Sequence, residues 1–121
     1  MKLMKGTASK SLAGMPSARS AMLSQSPDKQ AVTMYWECTA GVFRWHFASD
    51  ETVYIIDGAV TVSWNGERTT LAAGDTCFFP ADTVATWSVH NAVRKIAFIR
   101  VPPPTVISLA IRAYRRFIRM A

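Results

Sequence analysis

Cysteine is nearly absent from this chain of 121 residues: Cys38 and Cys77 are its only two, so at most one disulfide can form and a cystine-stapled scaffold is excluded. No apolar run approaches the ~18 residues of a membrane-spanning helix, which predicts a soluble protein. The opening Met1-Lys2-Leu3-Met4-Lys5 gives way to Gly, Thr, Ser and Lys without a sustained apolar stretch, so no secretory signal is expected. The expected location is therefore the cytoplasm, with both thiols buried and reduced. There is no Gly-rich phosphate loop, no paired Cys-x-x-Cys and no dinucleotide fingerprint. No Ser or Cys has a recognisable base partner, and Cys77, between Thr76 and Phe78, reads as core filler.

Acid is scarce at both ends, which decides how the net charge of +6 is read. Residues 1–34 hold five basic side chains against Asp28 alone, residues 102–121 hold four arginines and no acid, and residues 35–101 hold five basic and seven acidic side chains. The basicity belongs to the ends. The central segment lacks a clustered positive stripe, and no nucleic-acid partner is expected.

What is present is β-forming sequence in a length that supports one core. Residues 1–31, rich in Ser, Ala, Lys and Met and broken by Pro16 and Pro27, predict a flexible basic arm with a short helical turn near Ala18 to Leu23. From Val32 the texture changes. Val32 to Cys38 and Val42 to Phe47 are β-branched and aromatic around a Thr39-Ala40-Gly41 turn, and Thr52 to Ile56 and Ala59 to Trp64 flank Asp57-Gly58. Asn65-Gly66, between Thr61-Val62-Ser63-Trp64 and Glu67-Arg68-Thr69-Thr70-Leu71, predicts a two-residue hairpin with both turn residues at positive φ. Short strands at Thr76 to Phe79, Val84 to Val89 and Val93 to Val101 complete an all-β domain over residues 32–101, a sandwich or barrel.

The chemistry-bearing pair in this segment is His46 and Glu51. Imidazole and carboxylate are ligands that Zn, Mn, Fe and Ni accept, so the two form half of a metal site, or else a hydrogen-bonded pair lining a polar pocket.

The stretch from Glu51 to Gly58, followed by Leu71-Ala72-Ala73-Gly74-Asp75-Thr76-Cys77-Phe78-Phe79-Pro80-Ala81, resembles the two motifs of the cupin superfamily. The first has the form His-x-His, three or four residues, Glu, six residues, Gly; the second is Gly, five residues, Pro-x-Gly, two residues, His. Glu51 and Gly58 keep the six-residue gap, Gly74 and Pro80 the five-residue gap, and a four-residue gap puts His46 at the second histidine. Trp36-Glu37-Cys38, Thr86-Trp87 and Val93-Arg94-Lys95-Ile96 are most similar to the ureidoglycine-aminohydrolase-like branch of small cupins. The resemblance implies a double-stranded β-helix, or jelly-roll, barrel, a homodimer, and a divalent metal. Against that pattern Arg44 stands at the first histidine, Asp82 at the glycine after Pro80, and Ala85 at the third histidine. The expected cofactor is thus none, or a divalent ion (Zn, Mn, Fe or Ni) on a partial set of His46 and Glu51.

In a cupin barrel, strand alternation is expected to turn Arg44, His46 and, past the turn, Glu51, Val53 and Ile55 inward, together with Ala85, Trp87 and Val89. Arg44 would clamp a carboxylate, His46 and Glu51 would act as an acid/base pair, and Trp87, Val53, Ile55 and Ala85 would form the walls. The expected function is binding of a small ureido, amide or carboxylate compound, with catalysis open. The alternative is a catalytically silent binding or dimeric assembly module, its barrel filled by an Arg44–Glu51 ion pair with His46 as a bystander. Tyr54, out of phase with Val53 and Ile55, is expected outside. Beyond Pro102-Pro103-Pro104, residues 102–121 predict an amphipathic helix, Ile107, Ile111, Tyr114 and Ile118 on one stripe and Arg112, Arg115, Arg116 and Arg119 on another. That stripe would pack on the barrel or a second subunit, or the arginines would meet an anionic membrane surface.

Overall fold

The computed structural model describes residues 4–6, 10–13 and 16–101, with side chains described from residue 16 onward. Its elements are strands throughout: β1 (Met4–Gly6), β2 (Lys10–Ala13), β3 (Ala18–Gln25), β4 (Ala31–Phe47), β5 (Asp50–Trp64), β6 (Glu67–Ala72), β7 (Thr76–Phe79) and β8 (Thr83–Arg100). They pair antiparallel in one eight-stranded sheet ordered β1-β3-β4-β8-β5-β6, with β2 added to β4 and β7 to β5. The expected all-β architecture is what the structure has. Among the described residues no helix is long and apolar enough to cross a membrane. The amphipathic helix expected in 102–121 lies outside the described residues.

The arm differs from expectation. Ala18 to Gln25 is no helical turn but a full strand against β4, from Ala18 opposite Cys38 to Gln25 opposite Val32. Small and β-tolerant residues gave no period of their own there; the edge of β4 supplies the hydrogen bonds that select the extended form.

Strand β8 is the spine, paired along its length to β4 on one side and β5 on the other. The turn expected at Thr39-Ala40-Gly41 is instead a bulge inside β4, because both halves of that strand keep their pairing to β8. The bulge bends the chain back on itself. Trp36 and Trp45 lie nine residues apart, about 30 Å of straight strand, yet their ring centroids are 5.8 Å apart. A matching irregularity in β5 falls at Gly58, which holds φ +77°, and a Cβ there would come within 2.1 Å of the Ala92 carbonyl oxygen. The backbones of β5 and β8 can approach at this bend only because residue 58 has no side chain. The Asn65-Gly66 hairpin is as expected, with φ of 56° and 74° and Trp64 opposite Glu67.

Folding these strands over closes a core of Trp36, Phe43, Phe47, Val53, Ile55, Val60, Val62, Phe79, Ala85, Trp87, Val89 and Val93. Its centre is aromatic: Phe47 and Phe79 stack at 4.3 Å, and Trp87 touches the rings of Trp36, Phe43, Phe47 and Phe79.

Candidate functional site

The first-motif carboxylate points inward, and the chain supplies its counter-ion. Glu51 Oε2 accepts a hydrogen bond of 3.0 Å from Lys95 Nζ, the two side chains being 10% and 4% exposed. Both come from inward positions of neighbouring strands: Glu51, Val53 and Ile55 on β5, and Val93, Lys95 and Ala97 on β8. Rings wall the ammonium, with Nζ 4.8 Å from the Trp36 centroid, 4.7 Å from that of Trp87 and 5.8 Å from that of Phe47. In a low-dielectric interior such a pair survives only if each charge keeps its partner, and the negative ring faces add a second attraction for the cation. Trp87 contributes one more polar feature, a buried indole Nε1 with no hydrogen-bond partner.

The structure brings together some of the expected constellation. Glu51, Val53, Ile55, Ala85, Trp87 and Val89 are buried on the inner face. Arg44 and His46 are not: both are exposed on the outer face of β4, opposite Thr86 and Val84. His46 Nε2 lies 3.5 Å from Asp82 Oδ1, the pair being 50% and 82% exposed. The expected geometry needed the inward parity to change between His46 and Glu51. It does not change: Phe43, Trp45 and Phe47, then Glu51, Val53 and Ile55, run inward in one uninterrupted phase. The Arg44–Glu51 pairing considered above is corrected too, because the buried partner of Glu51 is Lys95.

Lys95 was missed although its signal was in the sequence. Val93, Lys95 and Ala97 alternate with Arg94, Ile96 and Phe98, so a lysine occupies a position of an apolar face. A buried lysine is rare unless paired, and that position alone called for an acidic partner. The turns around the site are tied down as well: Ala81 N–H donates to Asp50 Oδ1 at 2.8 Å, and Asp82 N–H to the Phe47 carbonyl at 2.7 Å. Asp82 adopts φ 67°, keeping the left-handed backbone for which the motif has glycine.

A divalent metal does not fit these residues. With the three-residue gap that the observed parity selects, the two histidine positions before Glu51 are held by Trp45 and Phe47, and the later one by Ala85, which is buried. One carboxylate remains of a four-ligand set, and an ammonium already bonds to it. Among the described residues no group of three or more His, Cys, Asp or Glu side chains is close enough to hold a metal ion. Burial disfavours both thiolates: it pushes Cys38 up to about 11, against a smaller lowering by Lys95, and raises the half-buried Cys77 too.

Among the described residues, two of the clefts that open on the outside are lined by residues other than Glu51, Lys95 and Trp87. One of about 390 Å³ runs past Asp28, Gln30, Thr33, Phe98 and Arg100. The other, about 250 Å³, surrounds Glu37 between Arg19 and Arg94, beside Ser17 and Thr39.

An antiparallel barrel carrying a glutamate on its inner face at the start of β5, a glycine bend seven positions on, and a Gly-to-Pro stretch that holds β7 ahead of β8 defines a small cupin. Residues 25–97 match the EutQ-like cupin domain, and the chain belongs to that family. No curated protein matches the chain at a significant level. Solved structures share the fold: a Clostridium difficile EutQ protein is 20% identical with a TM-score of 0.63, 71% of this chain covering 69% of it. A putative ethanolamine utilization protein Q from Salmonella typhimurium is 16% identical with a TM-score of 0.62, over 82% of this chain and 94% of that one. KdgF from a Halomonas species is 16% identical with a TM-score of 0.60, over 74% and 83%.

Proposed function

We propose that this chain is a small-molecule-binding cupin whose recognition point is the Glu51–Lys95 pair, and that its ligand carries a ureido, amide or carboxylate group. The carrying observation is a hydrogen-bonded ion pair inside an aromatic barrel. Such a pair presents one donor and one acceptor side by side. A ureido or amide ligand has the complementary edge: its N–H groups match Glu51 and its carbonyl or carboxylate oxygen matches Lys95. Trp87, Val53, Ile55 and Ala85 supply the apolar wall, and the unpartnered Trp87 N–H would serve a further oxygen. Arg44 and His46, on the outer face, have no role in this reading, and Glu51 rather than His46 would handle any proton. The ureidoglycine-aminohydrolase-like branch is the subgroup we favour, because that chemistry uses such compounds, and a cytoplasmic setting agrees with two free thiols. The test is a thermal-shift panel of ureido acids, amides and carboxylates on the wild-type chain and on a Glu51→Gln/Lys95→Met variant. A saturable rise in the wild type that disappears in the variant is expected; no response from any compound removes the reading.

A second reading, a silent assembly module, is favoured by another observation. On the outer face of β4, β8, β5 and β7, Thr33, Phe98, Thr52 and Phe78 form one row, and Tyr35, Ile96, Tyr54 and Thr76 the next, with Phe78 and Phe98 about half exposed. These rows carry no charge. An uncharged antiparallel surface of this kind can be matched to itself by a twofold axis, so the partner proposed is a second copy of the chain.

A further inference from the structure

We infer that the cation belonging beside Glu51 is the chain's own: the Lys95 ammonium stands where a divalent metal would sit in a cupin barrel, in a cage suited to an alkylammonium and not to a metal ion. Three independent features of the site point the same way. The positions that would supply imidazoles carry Trp45, Phe47 and Ala85, none of which can coordinate. Glu51 already accepts the Lys95 Nζ hydrogen bond at 3.0 Å, so a second positive charge there would meet both repulsion and an occupied carboxylate oxygen. The rings of Trp36, Trp87 and Phe47, all within 6 Å of Nζ, wall the ammonium further, and the one thiol near enough to feel the Lys95 charge, Cys38, is held protonated by burial. Ring faces attract an alkylammonium. They cannot replace the oxygen or nitrogen ligands that a divalent ion loses with its water.

The contrast gives a chemical signature. Truncating Lys95 to alanine deletes a propylammonium fragment and leaves its hole bounded by Glu51 and the same rings. Propylammonium added in solution should refill that hole, whereas Zn²⁺, Mn²⁺, Ni²⁺ and Fe²⁺ should not. This does not rest on the ligand proposed above, since no arm of the test contains a ureido, amide or carboxylate compound.

The experiment is thermal unfolding of the tag-free full chain as wild type, Lys95→Ala and Glu51→Gln/Lys95→Met, each with a chelator, with each metal and with propylammonium, alongside metal analysis of wild type grown in metal-supplemented medium. The wild type should carry far less than one equivalent of metal, with a midpoint moved by neither chelator nor metals. Lys95→Ala should melt lower and recover with propylammonium alone. The double variant, with no buried charge left, should melt above Lys95→Ala and ignore propylammonium. A stoichiometric metal in the wild type, or a chelator that lowers its midpoint, would overturn the inference, and so would rescue of Lys95→Ala by a metal or its indifference to propylammonium. Should Lys95→Ala not fold, the wild-type metal content and chelator response decide.

Discussion

Glu37 and Glu51 are carboxylates held by opposite means. Glu51 is paired inside the barrel, whereas Glu37 lies on the outer face of β4, accepting 2.8 Å from Tyr35 Oη and 2.6 Å from Arg19 Nε, with Arg94 Nε at 3.7 Å. The Tyr35 hydrogen bond leads in holding the Glu37 pKa below its ordinary value, helped by Arg19 and Arg94 and opposed by desolvation. A carboxyl with a lowered folded pKa adds stability that is fully present above its unfolded pKa and is lost as pH falls through the folded one. Glu37→Gln should therefore cost about 1–2 kcal/mol at pH 7, the worth of hydrogen bonds to a charged acceptor. The difference from wild type should shrink below about pH 4 and vanish once the wild-type carboxyl is protonated. Urea unfolding of both proteins across that range checks it; a gap independent of pH would assign the loss to packing.

At the scale of elements, glycines at positive φ do different work. Gly58 sits where β5 bends across β8, and a Cβ would strike the Ala92 carbonyl; Gly66 holds a similar φ in the hairpin, and nothing lies within 4 Å of its missing Cβ. Gly66→Ala should cost about 1 kcal/mol, the conformational penalty alone. Gly58→Ala must also push the β5 and β8 backbones apart and should cost more than about 3 kcal/mol or prevent folding. Denaturant midpoints of the two variants test the ranking, which equal losses would reject. The hairpin and Thr76 to Phe79 were legible because their signals are local. In the sequence the bend at Gly41 looks like a turn and β3 like a helical turn, because each is fixed by pairing with a strand remote in sequence.

For the whole molecule, the uncharged rows around Phe98, Tyr54 and Phe78 bear on solution behaviour. If a second copy covers them, as proposed, sedimentation should show a dimer, and Phe98→Glu combined with Phe78→Glu should give a monomer with unchanged circular dichroism. A monomeric wild type would leave that face without the partner argued for it.

The sequence by itself determined the all-β class, the hairpin, the motif glutamate and glycine, and the inward sets Glu51, Val53 and Ile55 on β5 and Ala85, Trp87 and Val89 on β8, since alternation within one strand is a local period of two. Only the tertiary structure decided which face of β4 joins them. Strands β4 and β5 are not neighbours but flank β8 on opposite sides, so the parity carried across Ala48 and Ser49 depends on how both strands register against a third. That register turned His46 and Arg44 outward, put Trp45 and Phe47 in their place, and brought Lys95, forty-four residues from Glu51, to its carboxylate.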